Sequence, residues 1–188
     1  MEQEIQDVSI KRIQEAMPQL KGIENELIID YTEYKMPNDK HPIHRYPIRF
    51  DGLYIGLREK GKARFSINLK EFEVGHNDLV ICSPDDLVQA TLQEDVHLVQ
   101  SMVVSSHFLK EMYISLNSFM PFFAARKDHP VFHLTDSEME ELKAYFLLIK
   151  DNIEKDDYFR ADIIKRLLAA YLYKLGSILY RHRPELQE

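Results

Sequence analysis

Eight histidines and a single cysteine carry most of the chemical potential of this 188-residue chain, and their spacing decides whether it is used. A transition-metal site needs three or four His, Cys, Asp or Glu ligands converging on one point. His41 and His44 make a His-x-x-His in DKHPIHRYP, a Pro-rich stretch lacking the helix that would aim two imidazoles the same way, so both read as solvated loop histidines. His129 and His133 stand at i and i+4, yet Pro130 between them argues against a continuous helix. His76 falls in the turn GHND, His97 begins a strand, His107 begins a helix and His182 ends one, where an imidazole complements the helix dipole. No three cluster in sequence, and neither a metal nor another cofactor is expected.

Nucleophilic chemistry has no better support. Cys82 sits within VICSP, where a small buried residue is the ordinary expectation, and no neighbouring cation marks it as a thiolate. The chain has no Gly-x-Ser-x-Gly elbow and no dinucleotide fingerprint, and its six glycines do not compose a phosphate loop. Asp85-Asp86 and Asp156-Asp157 read as turns and caps. The reading is therefore of a protein that is not an enzyme.

The elements that could position a binding site are clearer. With 45% hydrophobic residues and a net charge of −7, the chain has the composition of one folded domain. A lone cysteine makes a disulfide scaffold impossible and suggests a reducing compartment. The N-terminus lacks the basic and apolar regions of a signal peptide, and no apolar run reaches membrane-spanning length, so a soluble cytoplasmic protein without a membrane partner is expected. Thirty-one acidic against 24 basic residues make these residues a poor partner for nucleic acid.

Residues 1–46 are expected to form an N-terminal helix and arm. From 47 to 104, runs such as RFDGLYIGLRE, ARFSINLKEFEV, DLVICS, LVQATL and HLVQSMVV alternate with turn signals, predicting an antiparallel β-barrel or two-sheet sandwich. Leu79 to Cys82 and Met102 to Val104 are apolar at consecutive positions, which requires strands covered on both faces. Residues 105–182 read as helical. Phe108, Leu109, Met112 and Leu116 start that region, with Pro121 ending or kinking their helix, and Thr135 to Glu138 form a capping box ahead of Met139, Leu142, Phe146, Ile149 and Ile153. A third helix, from about Tyr158 to Arg181, bears the stripe Ile164, Leu168, Tyr171, Leu175 and Ile178 beside a second one of Ile163, Leu167, Leu172 and Leu179. Two readings of these stripes stand. Both pack inside the subunit, or one, for which the heptad stripe is the candidate, joins two copies into a homodimer. The polar segment 183–188, with Pro184, reads as the start of a linker.

A β structure of this size can hold a small molecule. The candidate ligand-binding residues on one strand parity are Tyr54, Arg58, Lys60, Phe65, Ile67, His97 and Ser101, with Val99 beside them. On the opposite parity Leu53, Ile55, Leu57, Leu98, Gln100 and Met102 would line a nearly dry interior without a pocket.

The order of HPIHRYPIRFDGLYIGLREKGKARFSINLKEFEV, NDLVICSPDDLVQA, VVSSHFLKEM and the closing helices resembles the regulatory domain of AraC-type bacterial transcription regulators, in the version found in Bacteroides-like bacteria. Asp51-Gly52-Leu53, Gly61, Asn77-Asp78-Leu79 with Pro84, and Ser105-Ser106 with Phe108-Leu109 carry the match. The resemblance implies an α+β chain: a cupin-like antiparallel barrel followed by a helical dimerisation region and, beyond residue 188, a helix-turn-helix domain that makes the DNA contact. It implies a sensor of a small-molecule effector. The alternative is a stand-alone cupin-like metal-dependent enzyme, but the His-x-His of metal-binding cupins is missing, and Leu87-Val88-Gln89-Ala90 and Val99-Gln100-Ser101 lack the polar groups that sugar sensors place there.

Overall fold

Short β-rich runs separated by Gly, Asn and Asp turns fold here into two sheets, and the later segments of 3.6-residue period fold into helices against one of them. A computed structural model describes residues 6–35, 42–44, 46–84, 86–112 and 129–182. Leu116, Pro121 and the linker segment 183–188 lie outside the described residues.

The strands are β1 (Gln6–Val8), β2 (Lys21–Ile23), β3 (Leu27–Lys35), β4 (Ile48–Phe50), β5 (Leu53–Lys60), β6 (Ala63–Ile67), β7 (Lys70–Val74), β8 (Asp78–Cys82), β9 (Leu87–Leu92), β10 (Val96–Val104) and β11 (Val131–His133). One sheet has the order β1-β4-β9-β6-β7 and the other β11-β8-β5-β10-β3-β2. Consecutive strands from β4 to β10 mostly switch sheet, and every pairing except β1 with β4 is antiparallel. The result is an α+β chain built on a cupin-like jelly roll. It is a sandwich rather than a closed barrel, because no strand is shared between the two sheets.

The boundary expected at residue 47 is too late. β3 runs alongside β10 from Leu27 opposite Val104 to Lys35 opposite Val96, inside the second sheet. Its sequence hides this: after Leu27, Ile28 and Ile29 come Asp30, Thr32, Glu33 and Lys35, too polar to read as a strand. β2 covers only Leu27 to Ile29, so the polar remainder is a sheet edge, where charged side chains are tolerated. The helix expected in residues 1–46 is α1 (Ile10–Ala16), capped by Ser9, whose side chain accepts from the Arg12 amide.

Double-sided apolar runs are explained by three layers. Leu79, Ile81, Leu53, Ile55, Leu57, Met102 and Val104 turn outward into a core shared with the helices, while Val80, Cys82, Tyr54 and Val103 turn inward between the sheets. The helices are α2 (Ser106–Glu111), α3 (Asp136–Ile153) and α4 (Arg160–His182). At the start of α3 the Thr135 side chain accepts from the Glu138 amide and Glu138 accepts from the Thr135 amide, completing the capping box. Met139, Leu142, Phe146, Ile149 and Ile153 are all buried.

The α4 stripe proposed for dimerisation is buried in the subunit itself. Ile164, Leu168, Tyr171 and Ile178 are 0% exposed and Leu175 is 4% exposed, all within the core that joins helices and sheet. The physical reason is that α4 lies against both α3 and the outer sheet face. Those two surfaces consume the heptad stripe and also bury Leu172 and Leu179 of its neighbour.

Candidate functional site

Between the sheets lies a cavity of about 60 Å³, lined by Asp30 and Tyr34 of β3, Ile43 and His44 of a 3-10 turn, Tyr54 and Arg58 of β5, Phe65 of β6, Ala90 and Leu92 of β9, and His97, Val99 and Ser101 of β10. That is room for several waters or one small organic molecule. The inward parity is the one with Tyr54, Arg58, Phe65, His97 and Ser101. The opposite parity faces the helices: Leu53, Ile55, Leu57 and Met102 belong to that outer core.

Register sets the floor. Ser101 stands opposite both Asp30 and Gly56, and Val99 opposite both Thr32 and Arg58. Gly56 is required here, since a Cβ would come within 2.5 Å of the Tyr54 hydroxyl. The Tyr54 ring, stacked on Phe50 at 5.5 Å between centroids, therefore lies along the strand with its hydroxyl over the glycine.

Arg58 is the dominant group. It is 4% exposed, Nη1 donates to His97 Nδ1 at 3.0 Å and to the Lys60 carbonyl at 3.5 Å, and its buried Nε has no hydrogen-bond partner. Burial pulls its pKa below the ordinary guanidinium value, although Tyr54, Asp78 and Glu94 act the other way. Because a guanidinium only donates, His97 Nδ1 must accept, which leaves Nε2–H to donate to the Glu94 carbonyl. His97 is thus held neutral, and burial together with Arg58 lowers its pKa. His44 Nδ1 donates to the Ala90 carbonyl at 3.0 Å, and burial, Arg58 and His97 lower its pKa in turn. Burial pushes the Asp30 carboxyl up to about 6, against hydrogen bonds from the Thr32 hydroxyl and the Tyr31 amide.

Two sequence candidates do not line this cavity. Ile67 is buried in the core between the sheets. Lys60 leaves because the β5–β10 register slips: Val99 faces Arg58 but Leu98 faces Lys60, making Glu59 an extra residue whose bulge re-aims the end of the strand. Lys60 instead pairs with Glu33 at 2.9 Å on the outside. Conversely, His44 is no solvated loop residue, since its partner Ala90 belongs to the cavity wall. Asp30 and Tyr34 were missed with the strand that carries them, and their i, i+4 parity on one face of β3 was the available signal.

Four further histidines have structural partners. His76 Nδ1 donates to the Glu59 carbonyl, His107 meets Glu26, His133 meets Asp78 and His182 meets Glu138. Cys82 is buried. Among the described residues no three His, Cys, Asp or Glu side chains gather as a metal site, and no helix is long and apolar enough to cross a membrane.

No family model and no curated protein matches this sequence. Similar solved structures include the AraC-like transcriptional activator CuxR, at 13% identity, covering 82% of this chain and 52% of that one with a TM-score of 0.48. Apo ToxT from Vibrio cholerae is 10% identical, with 81% and 56% covered and a TM-score of 0.44. A cupin superfamily protein from Desulfitobacterium hafniense is 9% identical, with 45% and 72% covered and a TM-score of 0.33. The present chain spans about half the length of CuxR and ToxT.

Proposed function

We propose that this chain is the regulatory region of an AraC-type bacterial transcription regulator, a cytoplasmic sensor and not a catalyst. Its cavity takes a small-molecule effector, and its helices bring two copies together. DNA is contacted by a C-terminal helix-turn-helix region, while the acidic balance of these 188 residues keeps the sensing part off phosphate. The sequence resemblance supplies the family. The observation that carries the sensing role is a cavity between the two sheets whose wall holds the buried Arg58 and His97 and the half-buried Asp30.

A route from cavity to helices exists on β5 itself. Arg58 faces the cavity, while the next residue, Glu59, accepts hydrogen bonds from Tyr31 at 3.2 Å, from Gln100, and from Lys143 of α3 at 2.8 Å. An effector that binds two settings of this strand with different affinity would shift how α3 is held.

Thermal denaturation against a broad metabolite panel tests the sensor, because a ligand of the native state raises the melting temperature. At least one small molecule is expected to do so and to change operator binding by the full regulator. A reading frame that stops directly after Glu188 would defeat the proposal.

A further inference from the structure

We propose that the cavity binds a small organic acid, whose carboxylate docks on Arg58 and whose hydroxyl donates to Asp30. This deepens the sensor reading and rests on it. Both hydrogen bonds of the Arg58 side chain leave from Nη1. Among the described residues Nε has no hydrogen-bond partner and no hydrogen bond leaves Nη2; together they form the edge of the guanidinium that matches a carboxylate in a two-bond fork. Buried cations in proteins are paired, because removing a charge from water without a counter-ion is costly. Here no described carboxylate lies within ion-pair distance of Arg58, and its nearest partner, His97, is a neutral acceptor. The pairing that the fold leaves out is one a ligand can supply.

The remaining groups select among anions. Asp30 shares the cavity, so a doubly charged phosphate would meet a like charge, whereas a hydroxy acid offers a donor there. The Asp30 carboxyl, titrating near 6, also stays ionised enough at neutral pH to accept that hydroxyl. Phe65, Ile43, Val99 and Leu92 supply apolar walls for a short carbon chain, and about 60 Å³ limits its length.

Sodium lactate and sodium acetate are the probes, against sodium phosphate, glycerol and sodium chloride at matched ionic strength. Lactate at about a hundredfold its dissociation constant should raise the melting temperature by roughly 5 °C or more, and acetate should need a higher concentration. Arg58→Met should abolish the response and, having lost an unpaired buried charge, should melt higher than the parent without ligand. Arg58→Gln, which keeps a donor at the site, is the second variant, and calorimetric titration of the unaltered chain with lactate needs no variant at all. Asp30→Asn should weaken lactate more than acetate.

A response to phosphate or glycerol with both carboxylates inert would overturn the acid and leave the sensor standing. A shift reproduced by chloride, or none from any of the five, would overturn the site. Lactate binding that requires Arg58 but leaves operator binding by the full regulator unchanged would instead uphold the site and defeat the sensor reading.

Discussion

Among the described residues three buried side-chain atoms lack a hydrogen-bond partner, Arg58 Nε, Gln100 Oε1 and the Tyr171 hydroxyl, and the first and last of these differ in meaning because they differ in surroundings. Arg58 borders a cavity, where a ligand can reach it. Tyr171 lies in the apolar core of α4 with its hydroxyl unpaired, and burial raises its pKa. An unsatisfied buried hydroxyl costs about 1–3 kcal/mol, so Tyr171→Phe should stabilise the chain by about 1 kcal/mol, raising the melting temperature by roughly 2–4 °C. Chemical denaturation measures this directly, and a loss of stability would mean the hydroxyl has a partner in solution. Neither orphan was legible in the sequence. Tyr171 reads there as one more member of an apolar stripe, and whether a phenol or guanidinium is satisfied depends on what other elements bring to it. Which residues of a strand share a face with Tyr54 and Arg58, or with His97 and Ser101, was legible, since the period of a strand alone dictates it, but which of the two faces turns toward the cavity was not. Lys60 escaped that rule through a single extra residue, Glu59, which no alternation of side chains announces.

At the level of elements, short-range signals carried through and long-range ones did not. The capping box at Thr135 is a four-residue pattern and formed as read, whereas β3 owes its existence to nine residues of β10 far along the chain. The box has a further use that its four residues do not reveal. Glu138 also accepts from Arg181 at 3.1 Å and His182 at 2.9 Å, tying the end of α4 to the start of α3. Burial alone would raise the Glu138 carboxyl, but His182, the Thr135 amide and Arg181 outweigh it and hold its pKa at about 2, below the usual 4.5. A carboxylate depressed on folding contributes stability that is complete above its unfolded pKa and is lost as pH falls through the folded one. The clamp should therefore weaken between about pH 4.5 and pH 2. Thermal melts across that window should show a steeper decline for the unaltered chain than for Glu138→Gln, and parallel declines would remove Glu138 from the account.

For the whole molecule the proposed dimer raises the question of which face would join two copies. The heptad stripe of α4 has the spacing of a dimer seam, and its burial inside one subunit means that Leu168→Glu forces a carboxylate into a core where Leu168 is 0% exposed. Such a change should cost more than about 4 kcal/mol and unfold the chain rather than release folded monomers. A dimer made by the helices must instead use what they leave outside. On α3 that is Leu147 at 40% and Leu148 at 50% exposure, joined beyond the helix by Tyr158 at 95% and Phe159 at 62%. These large apolar side chains accompany a buried stripe that already satisfies the packing of α3 within the subunit, so intramolecular stability does not explain them. Leu148→Glu should leave the melting temperature of the monomer within a degree or two, because a surface substitution changes stability by about 0.5 kcal/mol at most. The same change should lower the sedimentation coefficient of a dimer to that of a folded monomer at micromolar concentration. A Leu148→Glu chain that still sediments as a dimer would move the interface off α3, and a folded, monomeric Leu168→Glu chain would return it to the α4 stripe.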